Sequence, residues 1–377
     1  MTDSPATIDL DQADLDLIFG HSMLSTEDWS TAQLTSLGRL ARTLADFDRR
    51  RIRTSLLPFE LAWAVFFDQS TRTKSAWAGA AARLGMQPVI VDGSSTQISH
   101  GETAVETGAM LGMNAHAMGI RHDLILGEGN TFIRDVKTGI DRYLAATGDS
   151  RKVPVVNLQC DVDHPTQTMA DLLWLEDNLG DLSERNITVS WAYSPSYAKP
   201  LSVPQGLITL LTRFGANVTL AHPPGYRLTT ETMVAAEANA GGGGSFRVVE
   251  SMDDAFIDAD VVYPKSWGAY DLMVERVDAN ARGDTAELAA IEARALERNA
   301  QFTDWICDER RMGLTRDGDA LYMHCLPADI GAEVSTGVME HHTVNVARQA
   351  NWKMYVVMAL LAGAKVPNLA EAMAALA

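Results

Sequence analysis

The chain has 377 residues, of which 46% are hydrophobic, and a formal net charge of −18 at pH 7. This length and apolar content allow a large buried core and predict two domains. The negative charge argues against a nucleic-acid-binding protein, because contacts with phosphate backbones need clustered Lys and Arg.

The cysteine spacing and the first residues favour a cytosolic protein. Cys160, Cys307 and Cys325 are widely spaced and fit neither a disulfide framework nor a zinc ribbon, so a reducing compartment is expected. Residues 1–17 are acidic and lack the basic and apolar regions of a signal peptide. No apolar run approaches the length of a membrane span, so we expect no membrane partner.

The first predicted elements lead to one strand–turn–helix unit. An apolar stripe at helical spacing, from Trp29 to Leu44, predicts a helix after an acidic tail. The continuous apolar run Leu61–Phe67 suits a buried parallel strand. The polar segment Asp68–Thr73 follows it, and an Ala-rich stretch with helical spacing ends at Gly85.

The turn of this unit has the features of an anion site. A helix N-terminus directs free backbone N–H groups and a positive dipole end at the turn. Ser70, Thr71 and Thr73 add hydroxyl donors, and Arg72 adds a planar fork that suits phosphate oxygens. One serine or threonine here could simply cap the helix. Three hydroxyls and an arginine within four residues instead favour an oxyanion site, and the spacing is not that of a P-loop.

Strands and helices then alternate in two runs that are separated near residue 180. We predict strands at 88–92, 117–120, 153–158, 187–193, 217–222, 246–250, 260–263 and 321–326. We predict helices at 103–113, 166–178, 205–214, 231–240, 284–299 and 355–364. This alternation is typical of two α/β domains with parallel sheets.

Polar clusters follow several of these strands. They are residues 70–73, 121, 164–167, 265–267 and 324–327. Because the carboxyl ends of parallel strands share one edge of a sheet, the clusters could converge on one cleft between the domains. Taken singly, His164 could be a turn residue, Cys325 a core residue and Arg121 part of a surface ion pair. Their shared position favours a site.

Three motifs, in this order and spacing, resemble those of the transcarbamylases. They are Ser70-Thr71-Arg72-Thr73, His164-Pro165-Thr166-Gln167 and His324-Cys325-Leu326-Pro327, and the resemblance covers nearly the whole chain. It implies transfer of a carbamoyl group from carbamoyl phosphate to an amine, without a metal or an organic cofactor. It also implies two α/β domains, residues 1–178 with 345–377 and residues 179–344, assembled as a catalytic homotrimer.

The resemblance assigns a role to each matching residue on the carbamoyl phosphate side. Ser70, Thr71, Arg72 and Thr73 would bind the phosphate. Arg121 and His164 would reach the carbonyl oxygen, and Gln167 would contact the carbamoyl NH2 group. Catalysis would therefore depend on Arg72, Arg121, His164 and Gln167.

Other positions complete the implied site. Cys325 and Leu326 would line the second-substrate side, and the Leu326 carbonyl would also lie near the carbamoyl NH2 group. The loop Ser95–Glu102 would reach a neighbouring subunit's site, with Gln97 as the contacting residue. The family has an arginine near the last helix; Lys353 is our choice for its replacement, and Arg348 is the alternative.

The chemistry of the reaction suits these residues. A neutral amine attacks the carbonyl carbon, negative charge grows on oxygen, and phosphate leaves. Preset cationic and hydrogen-bonding groups stabilise that charge, and alignment of the two substrates supplies much of the remaining rate. No covalent intermediate is needed, so Cys325 is a better candidate for a binding residue than for a nucleophile.

Sequence differences from the ornithine and aspartate transcarbamylases indicate the substrate branch. The ornithine branch carries Ser-Met-Gly where this chain has Lys265-Ser266-Trp267, and no lysine of the aspartate branch occurs in the loop Ser95–Glu102. The Pro-rich stretch 191–204 resembles the knotted subgroup, in which a later loop threads through this one. Residues 159–164, 263–267 and 323–329 look closest to a catabolic-type branch of that subgroup, whose substrate is unsettled.

Our leading hypothesis is carbamoyl transfer between carbamoyl phosphate and a small amino or ureido acid, which could also run backwards as phosphorolysis. We expect Lys265, Ser266 and Trp267 to bind the second substrate, with the Lys265 ammonium group paired to a carboxylate of that substrate. The simpler alternative is that Lys265 faces solvent. An N-acetyl- or N-succinylornithine carbamoyltransferase is the second hypothesis. A non-catalytic metabolite-binding scaffold is the third. A nucleotide-binding Rossmann enzyme is disfavoured, since no G-x-G-x-x-G follows a strand.

Overall fold

The computed structural model of the chain describes residues 10–123, 125–196 and 199–377, and the side chain of Ser99 lies outside that description. The strands are β1 Leu61–Phe66, β2 Gln87–Asp92, β3 Ala117–His122, β4 Val155–Cys160, β5 Asn186–Trp191, β6 Asn217–Ala221, β7 Ser245–Val249, β8 Val261–Lys265 and β9 Leu321–Tyr322.

The helices alternate with these strands along most of the chain. They are α1 Gln12–Asp16, α2 Thr31–Arg49, α3 Arg72–Arg83, α4 Ala104–Gly112, α5 Gly129–Thr147, α6 Pro165–Leu179, α7 Ser202–Arg213, α8 Thr230–Ala240, α9 Met252–Phe256, α10 Tyr270–Ala281, α11 Thr285–Asn299, α12 Glu309–Met312, α13 Thr336–Lys365 and α14 Leu369–Ala374.

The strands form two sheets in which every pairing is parallel. The first sheet has the order β2-β1-β3-β4, and the second has the order β7-β6-β5-β8-β9. The predicted fold class, two α/β domains with parallel sheets, is confirmed. The knot in the second domain stays a prediction. Within the described residues, no helix is both long enough and apolar enough to cross a membrane.

The register of the first sheet brings the predicted polar clusters together. Phe66 at the end of β1 pairs with Arg121 on β3, and Arg121 pairs with Gln159 on β4. The turn after β1 and the loop after β4 therefore start at the same sheet edge as Arg121. In the second sheet, Lys265 at the end of β8 pairs with Trp191 on β5. Parallel pairing is thus the reason that residues distant in sequence share an edge.

Helix α13 connects the last part of the chain to the first sheet. Its 30 residues pack against α2, α3 and α6. From Val356 to Ala364 every residue is buried, and a helix that is apolar all round needs such cover on every side. The C-terminal segment thus returns to the first half of the fold. The predicted domain limits, residues 1–178 with 345–377 and residues 179–344, remain a prediction.

The sequence pattern underestimates the helices. It does not predict α1, α5, α10, α12 and α14, and α13 begins at Thr336 rather than at residue 355. The pattern of α5 was available, because Ile133, Val136 and Ile140 are buried at helical spacing. Helix α10 buries only Leu272 and Ala279, so its apolar stripe is too thin to recognise.

The last predicted strand is shorter than expected, and the cause lies at His324. Strand β9 ends at Tyr322 rather than at residue 326. The backbone N–H of His324 donates to the side-chain oxygen of Gln349 on α13 instead of to a neighbouring strand. The residues that follow therefore leave the sheet and form a loop at its edge.

Two glycines allow α4 and α5 to pack at close range. A Cβ atom on Gly108 would lie 2.1 Å from the carbonyl oxygen of Val136, and one on Gly139 would lie 2.0 Å from that of Val105. These separations are far below van der Waals contact. Any larger residue must push the helices apart, which also displaces the loop Ser95–Glu102 that leads into α4.

We expect Gly139→Ala to lower the free energy of unfolding by about 1–3 kcal/mol, because the added methyl group would overpack the α4–α5 contact. Denaturant unfolding followed by circular dichroism measures the change. Asp135→Ala, on the exposed face of α5, is the matched control and should change stability by less than about 0.5 kcal/mol. Equal stabilities of the two variants would contradict the close-contact interpretation.

Candidate active site

A cavity of about 960 Å³ opens at the edge where the strands of both sheets end. Ten residues that the sequence identified line it. They are Ser70, Thr71, Arg72, Thr73, Arg121, His164, Lys265, Cys325, Leu326 and Lys353. The tertiary structure therefore collects side chains from positions 70 to 353 around one space.

The phosphate-binding turn lies at the N-terminus of α3. Thr71 occupies the N-cap position, but its side chain makes no capping hydrogen bond. The hydroxyl thus does not have the purely capping role that is the simpler alternative. Arg72 donates from Nη2 to the backbone carbonyl of Leu326, which connects the turn to the loop after β9. The backbone of Leu326 has a φ of 54°, an uncommon value for a branched side chain.

His164 is held in its neutral form inside the cavity. Its Nδ1 lies 3.3 Å from Thr166 Oγ1, and its Nε2 lies 3.4 Å from Lys353 Nζ. Because an ammonium group can only donate, Nε2 is the acceptor of that contact. Burial, followed by the charges of Lys353 and Arg121, lowers the pKa of His164 well below its ordinary value. The neutral imidazole accepts from Lys353 in this tautomer, and in the other tautomer Nε2 can donate to a ligand oxygen.

Lys353 is a buried amine close to two guanidinium groups. Its side chain lies inside the protein, and its Nζ is 3.4 Å from Thr73 Oγ1. Among the described residues, no carboxylate lies within ion-pair distance of this Nζ. Burial, and then the charge of Arg72, lowers the pKa of Lys353 to about 7. Arg348, the alternative to Lys353, is exposed on α13 and does not line the cavity.

Arg121 is fixed by carboxylates beside the cavity. Its Nε and Nη2 donate to the two oxygens of Asp123 at 3.2 and 3.0 Å, and Asp68 lies 3.6 Å from Nη2. A bidentate pair of this kind holds the guanidinium plane in one orientation. Burial raises the pKa of Asp123, and the charge of Arg121 opposes that rise.

The second-substrate side contains a buried cation and a buried ion pair. Lys265 is 6% exposed, and its Nζ donates to the carbonyl oxygens of Ser266 at 2.7 Å and Pro200 at 3.2 Å. Burial lowers the pKa of Lys265. Lys199 lies 3.0 Å from Glu333 Oε2, which the motifs did not reveal. Both residues of this pair line the cavity.

Glu333 organises the loop around the second-substrate side. Its oxygens accept from the backbone N–H groups of Ser266 at 2.6 Å and Asp329 at 2.8 Å. Burial opposes ionisation of Glu333, but His324 and Lys199 more than offset that effect and lower its pKa. Sequence reasoning missed this residue because it lies in no motif, six residues beyond Pro327.

Four of the predicted site residues do not line the cavity. Gln167 is buried behind it, and Gln97 is exposed on a short 3₁₀ turn away from it. The backbone N–H of Ser266 is bonded to Glu333, and the indole of Trp267 donates to the carbonyl of Tyr226 at 2.7 Å. Their predicted roles in binding remain predictions.

No metal site is evident in the part of the chain that the structure describes, since no three His, Cys, Asp or Glu side chains are grouped closely enough to hold an ion. Among the described residues that line the cavity, seven Lys and Arg side chains outnumber the three carboxylates of Asp68, Glu292 and Glu333, and hydroxyls and two imidazoles complete the set. Such a donor set suits an oxyanion.

Family comparisons agree with this site. Residues 21–177 match the carbamoyl-phosphate-binding domain of aspartate/ornithine carbamoyltransferases, and residues 200–363 match their Asp/Orn-binding domain. The chain belongs to this family. The resemblance that the three motifs carry is therefore confirmed.

Proteins of known sequence and proteins of known structure are similar to this chain. The chain is 45% identical to the protein named carbamoyltransferase YgeW of Escherichia coli K12, over 91% of this chain and 89% of that protein. It is 30% identical to the N-acetylornithine carbamoyltransferase of Xanthomonas campestris pv. campestris, over 90% of this chain and 96% of that protein. A crystal structure of acetylornithine transcarbamylase with acetylcitrulline has a TM-score of 0.75 and 26% identity, covering 92% of this chain and 99% of that one.

We expect sulfate, a dianion that does not titrate near neutral pH, to bind the cavity more weakly as the pH rises. A lysine with a pKa of about 7 is mostly charged at pH 6 and mostly neutral at pH 8, so the sulfate affinity should fall about tenfold between them. Calorimetry at the two pH values measures the ratio.

Lys353→Arg is the control for this titration, because arginine keeps its charge over the whole range. Its sulfate affinity should change by less than about threefold. An equal sulfate affinity of the wild-type protein at both pH values would show that Lys353 does not titrate in this range.

Proposed function

We propose that this carbamoyltransferase moves a carbamoyl group between carbamoyl phosphate and the amine of a small amino or ureido acid. The observation that carries the proposal is the concentration of positive charge in one cavity, with Lys353 buried and without a carboxylate in reach among the described residues. A dianionic phosphate would supply the missing negative charge. The hydroxyls of residues 70–73 and the N-terminus of α3 add neutral donors to the same place.

The reaction follows from the order of groups around the cavity. The phosphate end of carbamoyl phosphate would lie against Arg72, Lys353 and the hydroxyls, and its carbonyl oxygen against Arg121 and His164. The amine nitrogen forms a bond to the carbonyl carbon, and the bond from that carbon to the phosphate oxygen breaks. The proton lost by the amine leaves with phosphate. Fixed donors stabilise the negative charge that grows on both oxygens during this step.

We expect Arg72→Ala to weaken carbamoyl phosphate binding by about 30-fold or more, because a hydrogen bond from a charged group is worth about 1.5–3 kcal/mol. Calorimetry with freshly dissolved carbamoyl phosphate measures the affinity. Arg142→Ala, exposed on α5, is the control and should bind like the wild type. Failure of the wild-type protein itself to bind carbamoyl phosphate would favour the non-catalytic scaffold.

The second substrate is expected to carry a carboxylate that binds Lys265. This lysine is buried in the cavity wall, and within the part of the chain that the structure describes its bonds are to carbonyl oxygens. A carboxylate there would restore the charged form that burial disfavours. Ser266, Trp267, Cys325 and Leu326 are the other residues that we assign to this side.

A screen of amino and ureido acids, for carbamoyl transfer and for phosphorolysis, identifies the second substrate and the direction in which the enzyme works. For that substrate we expect Lys265→Met to raise KM about tenfold or more, with carbamoyl phosphate affinity unchanged, because the volume is kept and the charge is lost. An unchanged KM would remove Lys265 from the substrate contacts.

An N-acetyl- or N-succinylornithine carbamoyltransferase is the alternative within the same class. The 30% identity to the N-acetylornithine carbamoyltransferase of Xanthomonas campestris pv. campestris favours it. Carbamoylation of N-acetylornithine in the same screen would support this alternative. The reaction chemistry and the phosphate side of the site are identical in the two proposals.

The assembly is proposed as a homotrimer in which the loop Ser95–Glu102 reaches a neighbouring subunit's cavity. The exposure of Gln97, and of the edge strand β2 beside it, supports the proposal, since an uncovered edge is suited to contact with another chain. We also propose the knot in the second domain, the domain limits near residues 178 and 345, and a cytosolic location.

A further inference from the structure

A buried carboxylate behind the cavity joins three separate parts of the fold. Asp171 lies on α6, one helical turn after Gln167, and is fully buried. Its Oδ1 accepts from Gln167 Nε2 at 2.7 Å and from Gln349 Nε2 of α13 at 2.6 Å. Its Oδ2 accepts from the hydroxyl of Tyr263 on β8 at 3.1 Å. None of the three motifs includes Asp171, and it does not line the cavity.

The first consequence is the orientation of the Gln167 amide. Because the Asp171 oxygen that faces Gln167 also receives the Gln349 amide, it acts as an acceptor, and the NH2 end of Gln167 must face it. The carbonyl end, Oε1, is then buried without a hydrogen-bond partner. Buried acceptors are nearly always paired in proteins, so an unpaired one at the back of a ligand cavity is suited to a donor on a ligand.

The second consequence is the orientation of the Leu326 carbonyl oxygen in the loop after β9. Asp171 takes the NH2 group of Gln349, so the carbonyl end of Gln349 accepts from the backbone N–H of His324 at 3.2 Å. His324 Nδ1 in turn accepts from the backbone N–H of Leu326 at 2.8 Å. These bonds hold Leu326 in its left-handed conformation. Its carbonyl oxygen is thereby directed toward Arg72 at the cavity.

We propose that Asp171 is the positioning residue that aims two acceptors, Gln167 Oε1 and the Leu326 carbonyl oxygen, at the amino group of carbamoyl phosphate. The proposal rests on the proposed function. The positioning role adds to that function a means of distinguishing a carbamoyl group from an acetyl group. The acetyl group has the same shape but carries a methyl in place of NH2. Against a methyl, Gln167 Oε1 would be left unpaired and the Leu326 carbonyl oxygen would keep only its bond from Arg72. A site that loses such a hydrogen bond rejects the analogue strongly.

The acceptor geometry of Asp171, rather than its charge, is what this role requires. Burial raises the pKa of Asp171 to about 7, and Oδ1 keeps its lone pairs whether or not the other oxygen is protonated. Asparagine at this position retains Oδ1 for both glutamines, and its NH2 group can donate to the Tyr263 hydroxyl. Leucine has a similar volume and offers neither acceptor.

The test compares carbamoyl phosphate with acetyl phosphate in the wild-type protein, Asp171→Asn and Asp171→Leu. Calorimetry gives the affinity of each freshly dissolved ligand, and sulfate serves as a probe of the phosphate end alone. We expect the wild type to prefer carbamoyl phosphate. Asp171→Leu should lose about tenfold or more of that preference, and Asp171→Asn should stay within about threefold of the wild type. Sulfate affinity should be the same in all three, which a general loss of structure would not allow.

The outcomes distinguish a failure of the positioning role of Asp171 from a failure of the proposed carbamoyltransferase function. Failure of the wild-type protein to bind carbamoyl phosphate would overturn the proposed function, and this inference with it. Equal affinities of the wild-type protein for carbamoyl phosphate and acetyl phosphate would overturn the inference alone. A preference that survives in Asp171→Leu would overturn the inference alone, as would an equal loss in Asp171→Asn.

A second variant keeps the test decisive if Asp171→Leu does not fold. Gln349→Leu breaks only the bonds to Asp171 and His324, so the preference should fall while sulfate binding is kept. An unchanged preference for carbamoyl phosphate in Gln349→Leu would overturn the proposed connection from Asp171 through Gln349 to Leu326. Tyr263→Phe removes the bond to Oδ2 alone and should keep the wild-type preference; an equal loss there would overturn the assignment to Oδ1.

Discussion

The burial of positive charge without matching negative charge is the constraint on which the site depends. The chain as a whole is strongly acidic, with a formal net charge of −18, yet among the described residues that line its cavity the guanidinium and ammonium groups outnumber the carboxylates. Arg121 has Asp123, and Lys199 has Glu333, whereas the bonds of Lys265 are to carbonyl oxygens. Burial therefore lowers the pKa of the lysines that lack a carboxylate, and a bound anion would relieve that cost.

Two buried carboxylates hold the groups around this cavity in place. Glu333 receives backbone N–H groups on the second-substrate side, and its negative charge keeps Lys199 at the wall. Asp171 receives two glutamines and a tyrosine from different elements on the other side. Each carboxylate satisfies several donors at once, which is how a buried acid can be tolerated. Lys199, the two glutamine amides and the Tyr263 hydroxyl are consequently oriented before any ligand is present.

Parallel sheets explain why such distant residues meet. The ends of β1, β3 and β4 lie at one edge, so the turn at 70–73, Arg121 and His164 come together without any long loop. The second sheet contributes Lys265 in the same way. Lys353 arrives differently, because α13 crosses back to pack on α2, α3 and α6. Without that return the cavity would lack its buried lysine.

The sequence by itself determined the α/β alternation, the strand ends and ten of the residues around the cavity, because apolar periodicity and local motifs are short-range signals. The full length of α13 and the thin stripe of α10 were not recognised, since their burial depends on neighbours far away in the chain. Only the tertiary structure decided that Lys353 rather than Arg348 faces the cavity, that Glu333 lines it, and that Asp171 lies behind it with two glutamine amides bound. These positions depend on long-range hydrogen bonds and ion pairs, between residues up to 280 positions apart for Lys353 and Thr73, and no local pattern encodes them.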